Sequence, residues 1–222
     1  MSQPTHYIFD AYGTLLDLSA AARKCLKGVE GADPKLLAEI WRGRQLEYAW
    51  TETALGLPTR FWDVTTRALD VALHLTGLAG DAGLRRALLE AYAELDAYED
   101  ALPALEAIKA KGATSVIYSN ANPDMLDRSV AAAGLDRALD GSISVDGGGV
   151  YKPNQAAYSH IRDYLGIDPA QAIFVSSNPW DAAGAAKAGF LGVWVNRLGH
   201  SYPFPDVPLH AELTSLIALE RL

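Results

Sequence analysis

Apolar and polar positions follow two different rhythms along the chain. Tyr7-Ile8-Phe9 is a short apolar run that ends at Asp10 and the turn-forming Gly13, which predicts a buried strand with a carboxylate at its tip. From about Leu18 to Tyr98 nothing reads as a strand. Instead Leu37, Ile40, Trp41, Tyr48 and Leu55, then Phe61, Val64, Ala68, Val71 and Leu75, recur at helical spacing and predict a block of about four helices. After Pro103, which suits a first helical position, helices alternate with short apolar runs. Strands are expected over Thr114–Tyr118, Ile143–Val145, Ala172–Val175 and Gly192–Val195, with helices starting near Pro123, Asn154 and Pro179. Such alternation predicts a parallel sheet. The Pro203 to Pro208 loop precedes an expected last helix over Ala211–Leu219, and Gly147-Gly148-Gly149 reads as a flexible stretch ahead of Val150. The economical architecture is an open α/β fold: a parallel sheet flanked by helices over residues 1–17 and 99–222, with an all-helical cap, 18–98, inserted after the first strand.

Composition narrows the function classes. Half of the 222 residues are apolar and 21% are charged, enough to bury a sizeable core. Lys and Arg number 19 against 27 Asp and Glu, a net charge of -8 without a basic run, so no nucleic-acid partner is expected. The most apolar late stretch, Ala182 to Val195, is interrupted by Lys187 and by glycines, so no membrane span is expected either. With the single Cys25 and no signal-peptide pattern in MSQPTHYIFD, the expected location is the cytoplasm.

In an open parallel sheet, ligands bind beyond the carboxyl ends of the strands. Asp10, Ser119 and Asn120, and Ser176, Ser177 and Asn178 all follow predicted strands, and Lys152 lies in a loop before a helix. Singly, Ser119 and Asn178 also read as helix caps, Asp10 as a turn cap and Lys152 as a surface lysine. Their joint arrival on one edge points to a site. Gly13 permits a close turn, the Thr14 hydroxyl can hold a carboxylate oxygen, and Asp181 offers Lys152 a partner. An Asp10 carboxylate near Lys152 would stay ionised and suit a nucleophile.

The segments FDAYGTLLD, YSNANPDML, VYKPNQAAY and FVSSNPWDAAGAAKAGF, in this order, resemble the haloacid dehalogenase superfamily, and more closely its L-2-haloacid dehalogenase branch. WRGRQLEYAW resembles that branch's cap helix. The resemblance covers nearly the whole chain and implies a Rossmann-like sheet under a helical cap. Phosphatases of the superfamily resemble DxDxT, whose second Asp protonates a departing alkoxide; here Tyr12 stands in its place, and halide departure needs no proton. The last motif, SSNPWD, leaves Asp181 as its only carboxylate, a poor magnesium site beside Lys152, so no metal or other cofactor is expected.

The resemblance implies a two-step hydrolysis of 2-haloacids. Asp10 displaces halide from C2 to form an ester, then water attacks the Asp10 carbonyl carbon, giving a 2-hydroxy acid with inversion. It assigns Arg42, aided by Asn120, to the halide; Ser119 and Asn120 to the substrate carboxylate; and Ser176, Asn178, Asp181 and Tyr158 to holding Lys152 and the hydrolytic water. Tyr12, Leu46, Phe61 and Trp180 would line an apolar pocket, although Leu46 and Phe61 read equally as core. His74 and His160 fall on predicted helices outside every motif. Gly43 stands where the branch often carries a longer polar side chain, which would enlarge the pocket or loosen the cap helix. The triple glycine would make the Lys152 loop mobile. Trp41, Tyr48 and Trp50 suggest an apolar surface for a partner subunit, and a homodimer is expected. Competing readings are a phosphatase or other carbon–heteroatom hydrolase on the same scaffold, and a binding protein without catalysis.

Overall fold

The computed structural model describes residues 4–57, 59–146 and 149–222; Gly147 and Gly148 of the triple glycine lie outside the described residues. Strand β1 (His6–Phe9) is followed by α1 (Ala20–Cys25), α2 (Pro34–Leu55), α3 (Phe61–Leu75) and α4 (Ala82–Tyr92), then by α5 (Ala101–Ala110), β2 (Thr114–Ser119), α6 (Pro123–Ala132), β3 (Gly141–Ser144), α7 (Gln155–Leu165), β4 (Ala172–Ser176), α8 (Pro179–Lys187), β5 (Leu191–Val195) and β6 (Ala211–Leu213). The strands form one parallel sheet in the order β3-β2-β1-β4-β5-β6. β1 is buried on both faces: Tyr7 and Phe9 enter one apolar cluster and Ile8 the other, as strand alternation requires. Because the chain turns to opposite sides of β1 for β2 and β4, the crevice beyond β1 and β4 is the topological switch point of the sheet.

The four helices after β1 form the cap, with α2 packed on α3 and α1 on α4. α2 starts where Asp33 accepts from the amides of Lys35 and Leu36 ahead of Pro34, and stops at Gly56 in the left-handed region (φ 67°). The chain leaves for the cap and returns side by side: Asp17 N donates to Asp96 O and Tyr98 N to Leu15 O, both over hydrogen-bond distances below 3 Å (2.8 and 2.9 Å).

Several expectations change. The segment Ala211–Leu219 is not one helix: Ala211–Leu213 pairs with the open edge of β5, and only after Ser215 does a 3-10 helix run over Leu216–Arg221. The unpaired backbone of β5 captures the extended chain that leaves the Pro-rich loop. The third strand begins at Gly141 rather than Ile143 and ends at Ser144. Helix α5 begins at Ala101, with Pro103 still in the first turn, where its missing N–H costs no intrahelical bond. On α2 the buried stripe is Leu37, Trp41, Gln45, Ala49 and Glu52, while Leu55 is exposed; on α3, Leu75 is exposed and Ala72 and Leu73 are buried. Trp41 therefore does not form an outer surface: it is buried against Tyr92, and its Nε1 donates to Thr65 O at 2.9 Å.

Gly43 also faces outward, with open space around an added Cβ, so it neither widens a pocket nor admits a neighbour. Gly184 on α8 is the opposite case, since a Cβ there would sit 2.8 Å from the Tyr158 ring. Chemical denaturation of Gly43→Ala is expected to show a gain of about 1 kcal/mol. Gly184→Ala should lose about 1–3 kcal/mol, because Tyr158 must leave its place.

Candidate active site

Every motif converges on the carboxyl edge of the sheet. Asp10 follows β1 and is 4% exposed. Gly13 makes the turn at φ 91°, a conformation that side chains disfavour, and returns Thr14 beneath the carboxylate. Thr14 Oγ1 donates to Asp10 Oδ2 at 3.1 Å and accepts from Ser177 N at 2.8 Å, joining the loop after β1 to that after β4. Asn178 stands at the first position before α8, yet its side chain does not cap that helix; its Nδ2 donates to Asp10 Oδ2 at 2.8 Å. Ser176 Oγ accepts from Asn178 N and so fixes the turn that aims this amide.

Lys152 is the centre of the arrangement. It is 1% exposed, and Nζ directs its three protons to Asp10 Oδ1 (3.0 Å), Asp181 Oδ2 (2.8 Å) and Tyr118 O (3.0 Å). Burial alone would lower its pKa, but the charges of Asp10 and Asp181 outweigh it and hold the ammonium above the ordinary lysine value. Asp181 is pushed up by burial and by the Asp10 charge, against the opposing pull of Lys152. Tyr158 donates to Asp181 Oδ1 at 2.7 Å, and burial together with that carboxylate raises the phenol well above its usual range.

The cap contributes Arg42, whose terminal nitrogens reach Gln45 Oε1 at 2.7 Å and, loosely, Tyr12 O at 3.5 Å. Asn178 Nδ2 approaches the same Tyr12 carbonyl at 3.4 Å. Tyr12 itself is buried, stacks on Tyr92 of α4 at 5.6 Å, and shares a hydrogen bond with Ser129 Oγ at 3.0 Å. Burial pushes this phenol far upward, so it stays neutral.

Trp180 meets Trp50 of α2 edge to face at 5.5 Å, and Trp50 Nε1 donates to Lys152 O at 3.2 Å. Phe61 packs edge-on against Tyr151, next to Lys152, while Leu46 is half-buried. Ser119 Oγ accepts from Ala121 N, and the Asn120 amide brackets the Lys152 backbone, accepting from its N at 3.0 Å. Asn120 is thus occupied in holding the Lys152 loop. His74 and His160 are exposed, the latter beside Tyr118.

Sequence reasoning missed Gln45, Tyr92 and the Tyr118 carbonyl, and it read Trp50 as outer surface, where the indole, still partly exposed, also reaches the Lys152 loop. Gln45 carried a signal, since it lies one turn after Arg42 on the same helix face. A main-chain carbonyl carries none.

This donor set does not fit a divalent cation. The ammonium of Lys152 already lies between the two carboxylates, and among the described residues no three His, Cys, Asp or Glu side chains gather into a metal-binding group.

Fold and site together define a hydrolase with a buried aspartate beneath a helical cap. Residues 4–189 match the family of haloacid dehalogenase-like hydrolases. The (S)-2-haloacid dehalogenase 1 of Pseudomonas sp. (strain CBS-3) is 44% identical over 215 residues, which cover 97% of this chain and 94% of that protein. A crystal structure of a dehalogenase with an intermediate complex superposes with a TM-score of 0.94 at 41% identity, covering 99% of this chain and 96% of that one. The L-2-haloacid dehalogenase from Xanthobacter autotrophicus with chloropropionic acid covalently bound gives 0.87 at 32% identity, over 99% and 98% of the chains. The chain belongs to the haloacid dehalogenase superfamily, in its L-2-haloacid dehalogenase branch.

Because the Lys152 pKa is raised on folding, its contribution to stability is complete below the unfolded lysine value of about 10.4 and is lost as the pH rises through the higher folded value. Urea unfolding of the intact chain should therefore weaken progressively above that pH. Lys152→Met is expected to cost about 3–5 kcal/mol at neutral pH and to lose this alkaline decline.

Proposed function

We propose that the chain hydrolyses 2-haloalkanoic acids, with preference for the L enantiomer, to 2-hydroxyalkanoic acids of inverted configuration, without a metal. The observation that carries this reading is the Asp10 carboxylate, buried and held by Lys152 at one oxygen and by Thr14 and Asn178 at the other, with Tyr12 where a proton donor to an alkoxide would stand. Asp10 attacks C2 in line; the new C–O bond forms as the carbon–halogen bond breaks, and the halide leaves with the electron pair toward Arg42. In this reading the Ser119 hydroxyl receives the substrate carboxylate, and Asn120 assists by holding the Lys152 loop beside it. Tyr12, Leu46, Phe61 and Trp180 surround the alkyl group, and excluding water protects the nucleophile until the ester has formed.

Ester formation removes the Asp10 charge, one of the influences that raise Asp181. Asp181 then ionises more readily, beside Lys152, and takes the proton from the attacking water. The tetrahedral oxyanion on Asp10 meets the donors Lys152, Thr14 and Asn178, already aimed at those oxygens. It collapses by breaking the bond from the Asp10 carbonyl carbon to the substrate oxygen. The departing alkoxide takes the proton from Asp181 to give the 2-hydroxy acid, and the remaining water proton passes to solvent as the Asp10 carboxylate returns. Ser176 holds Asn178, and Tyr158 holds Asp181.

In this reading residues 18–98 act as the cap unit over a core of 1–17 and 99–222. The protein works in the cytoplasm, which its single cysteine suits; among the described residues no helix is long and apolar enough to cross a membrane. A second copy covers the outer side of α2, where half-buried Tyr48 and exposed Leu55 share a face.

The test is halide release from each enantiomer of 2-chloropropionate in chelator, with a phosphomonoester plus magnesium in parallel. Chloride from the L form alone is expected; phosphate without chloride would overturn the proposal. Asp10→Asn should abolish release while the fold survives. In a single turnover in ¹⁸O-water, mass spectrometry should find the label in Asp10 and not in the first product, because water attacks the enzyme's carbonyl carbon. Light scattering should give the mass of two chains.

A further inference from the structure

Arg42 does not stand by itself in the cap. Its partner Gln45 is 1% exposed and lies in a fully ordered chain of hydrogen bonds. Thr65 Oγ1 donates its proton to Phe61 O at 2.8 Å, so toward Gln45 it can only accept, and Gln45 Nε2 donates to it at 2.6 Å. That fixes the amide, leaving Oε1 to accept from Arg42 at 2.7 Å and from Tyr92 OH at 3.3 Å. Side chains from α3 and α4 thus hold one face of the guanidinium through a single glutamine. The Nε of Arg42 is buried and has no partner among the described residues.

Resting on the dehalogenase reading, we infer that Gln45 positions Arg42 and, because it is neutral, keeps the guanidinium charge available to the departing halide. A glutamate would accept the same hydrogen bond with nearly the same shape. It would also cancel the cation, and an arginine paired in a buried carboxylate bridge attracts an external anion weakly. The glutamine supplies the geometry of an ion pair without its neutralisation. Gln45 is a positioning residue: it acts through Arg42 and not on the substrate.

The experiment compares Gln45→Glu, Gln45→Met and Thr65→Val in the full chain, with bromide as the probe. In Gln45→Glu, bromide inhibition should weaken about tenfold and kcat for L-2-chloropropionate should fall roughly tenfold to a hundredfold, the effect of one lost charge-assisted contact, while KM moves much less. Gln45→Met removes the tether but leaves the charge, so kcat falls while bromide inhibition stays within about threefold of wild type. A purely structural role would lower the melting temperatures of both variants and leave bromide inhibition equal in the two, which overturns the inference. If Gln45→Glu does not melt cooperatively, Thr65→Val decides, because it frees the amide to turn; an unchanged kcat in that variant overturns the inference. Wild-type turnover separates the two proposals: without halide release the dehalogenase reading fails, and bromide affinity is read from tryptophan fluorescence titrations, where equal affinity in wild type and Gln45→Glu sinks the role of Gln45.

Discussion

A buried ammonium between two buried carboxylates is the constraint around which the rest of this molecule is arranged. Lys152 comes from a loop, Asp10 from the end of β1 and Asp181 from α8, and none of the three could stay charged in that place alone. Its third proton goes to the main chain of β2, so one nitrogen ties together four segments widely separated in sequence. Lys152 supplies the opposite charge that both carboxylates need inside a dry crevice. Tyr158, Thr14 and Asn178 satisfy the carboxylate oxygens that Lys152 leaves over, so the cost of burying charge is offset by directed hydrogen bonds.

The cap is attached to this centre by polar contacts at its rim and aromatic contacts within. Trp50 bonds to the backbone of Lys152 itself, and Tyr12, two residues beyond the nucleophile, stacks on Tyr92 of the cap. The Tyr12 carbonyl is approached from above by Arg42 and from below by Asn178. The Arg42 side and the Asp10 side of the site therefore share an atom of the backbone, and the position of one bears on the other.

Much of this was legible in the chain. Asp10, Ser176 and Asn178 mark strand ends by their place after apolar runs, and Lys152 and Asp181 come together because parallel strands deliver them to one edge. The block of cap helices was equally plain from periodicity. What escaped notice had physical reasons. Ala211–Leu213 is a strand only because β5 has an open edge to fill, a tertiary demand with no local signature. The apolar residues of α2 misled because its buried stripe includes Gln45 and Glu52, polar side chains matched by Thr65 and Arg67 from α3, so that hydrophobicity no longer marks the inner face. Trp41 was assigned to the surface for the same reason. The hold of the Asn120 amide on the Lys152 backbone has no signal in the sequence, because it joins two loops far apart in the chain.

The paired linkers at Leu15–Asp17 and Asp96–Tyr98 have a consequence for how such a molecule can diversify. Outgoing and returning chain are already zipped together before the first cap helix begins, so the sheet meets the insertion as a single closed stem. Whatever hangs from that stem can lengthen, shrink or be exchanged whole without shifting the register of β1 against its neighbours. The buried carboxylate at the sheet's edge and the helices above it are thus free to evolve at different tempos.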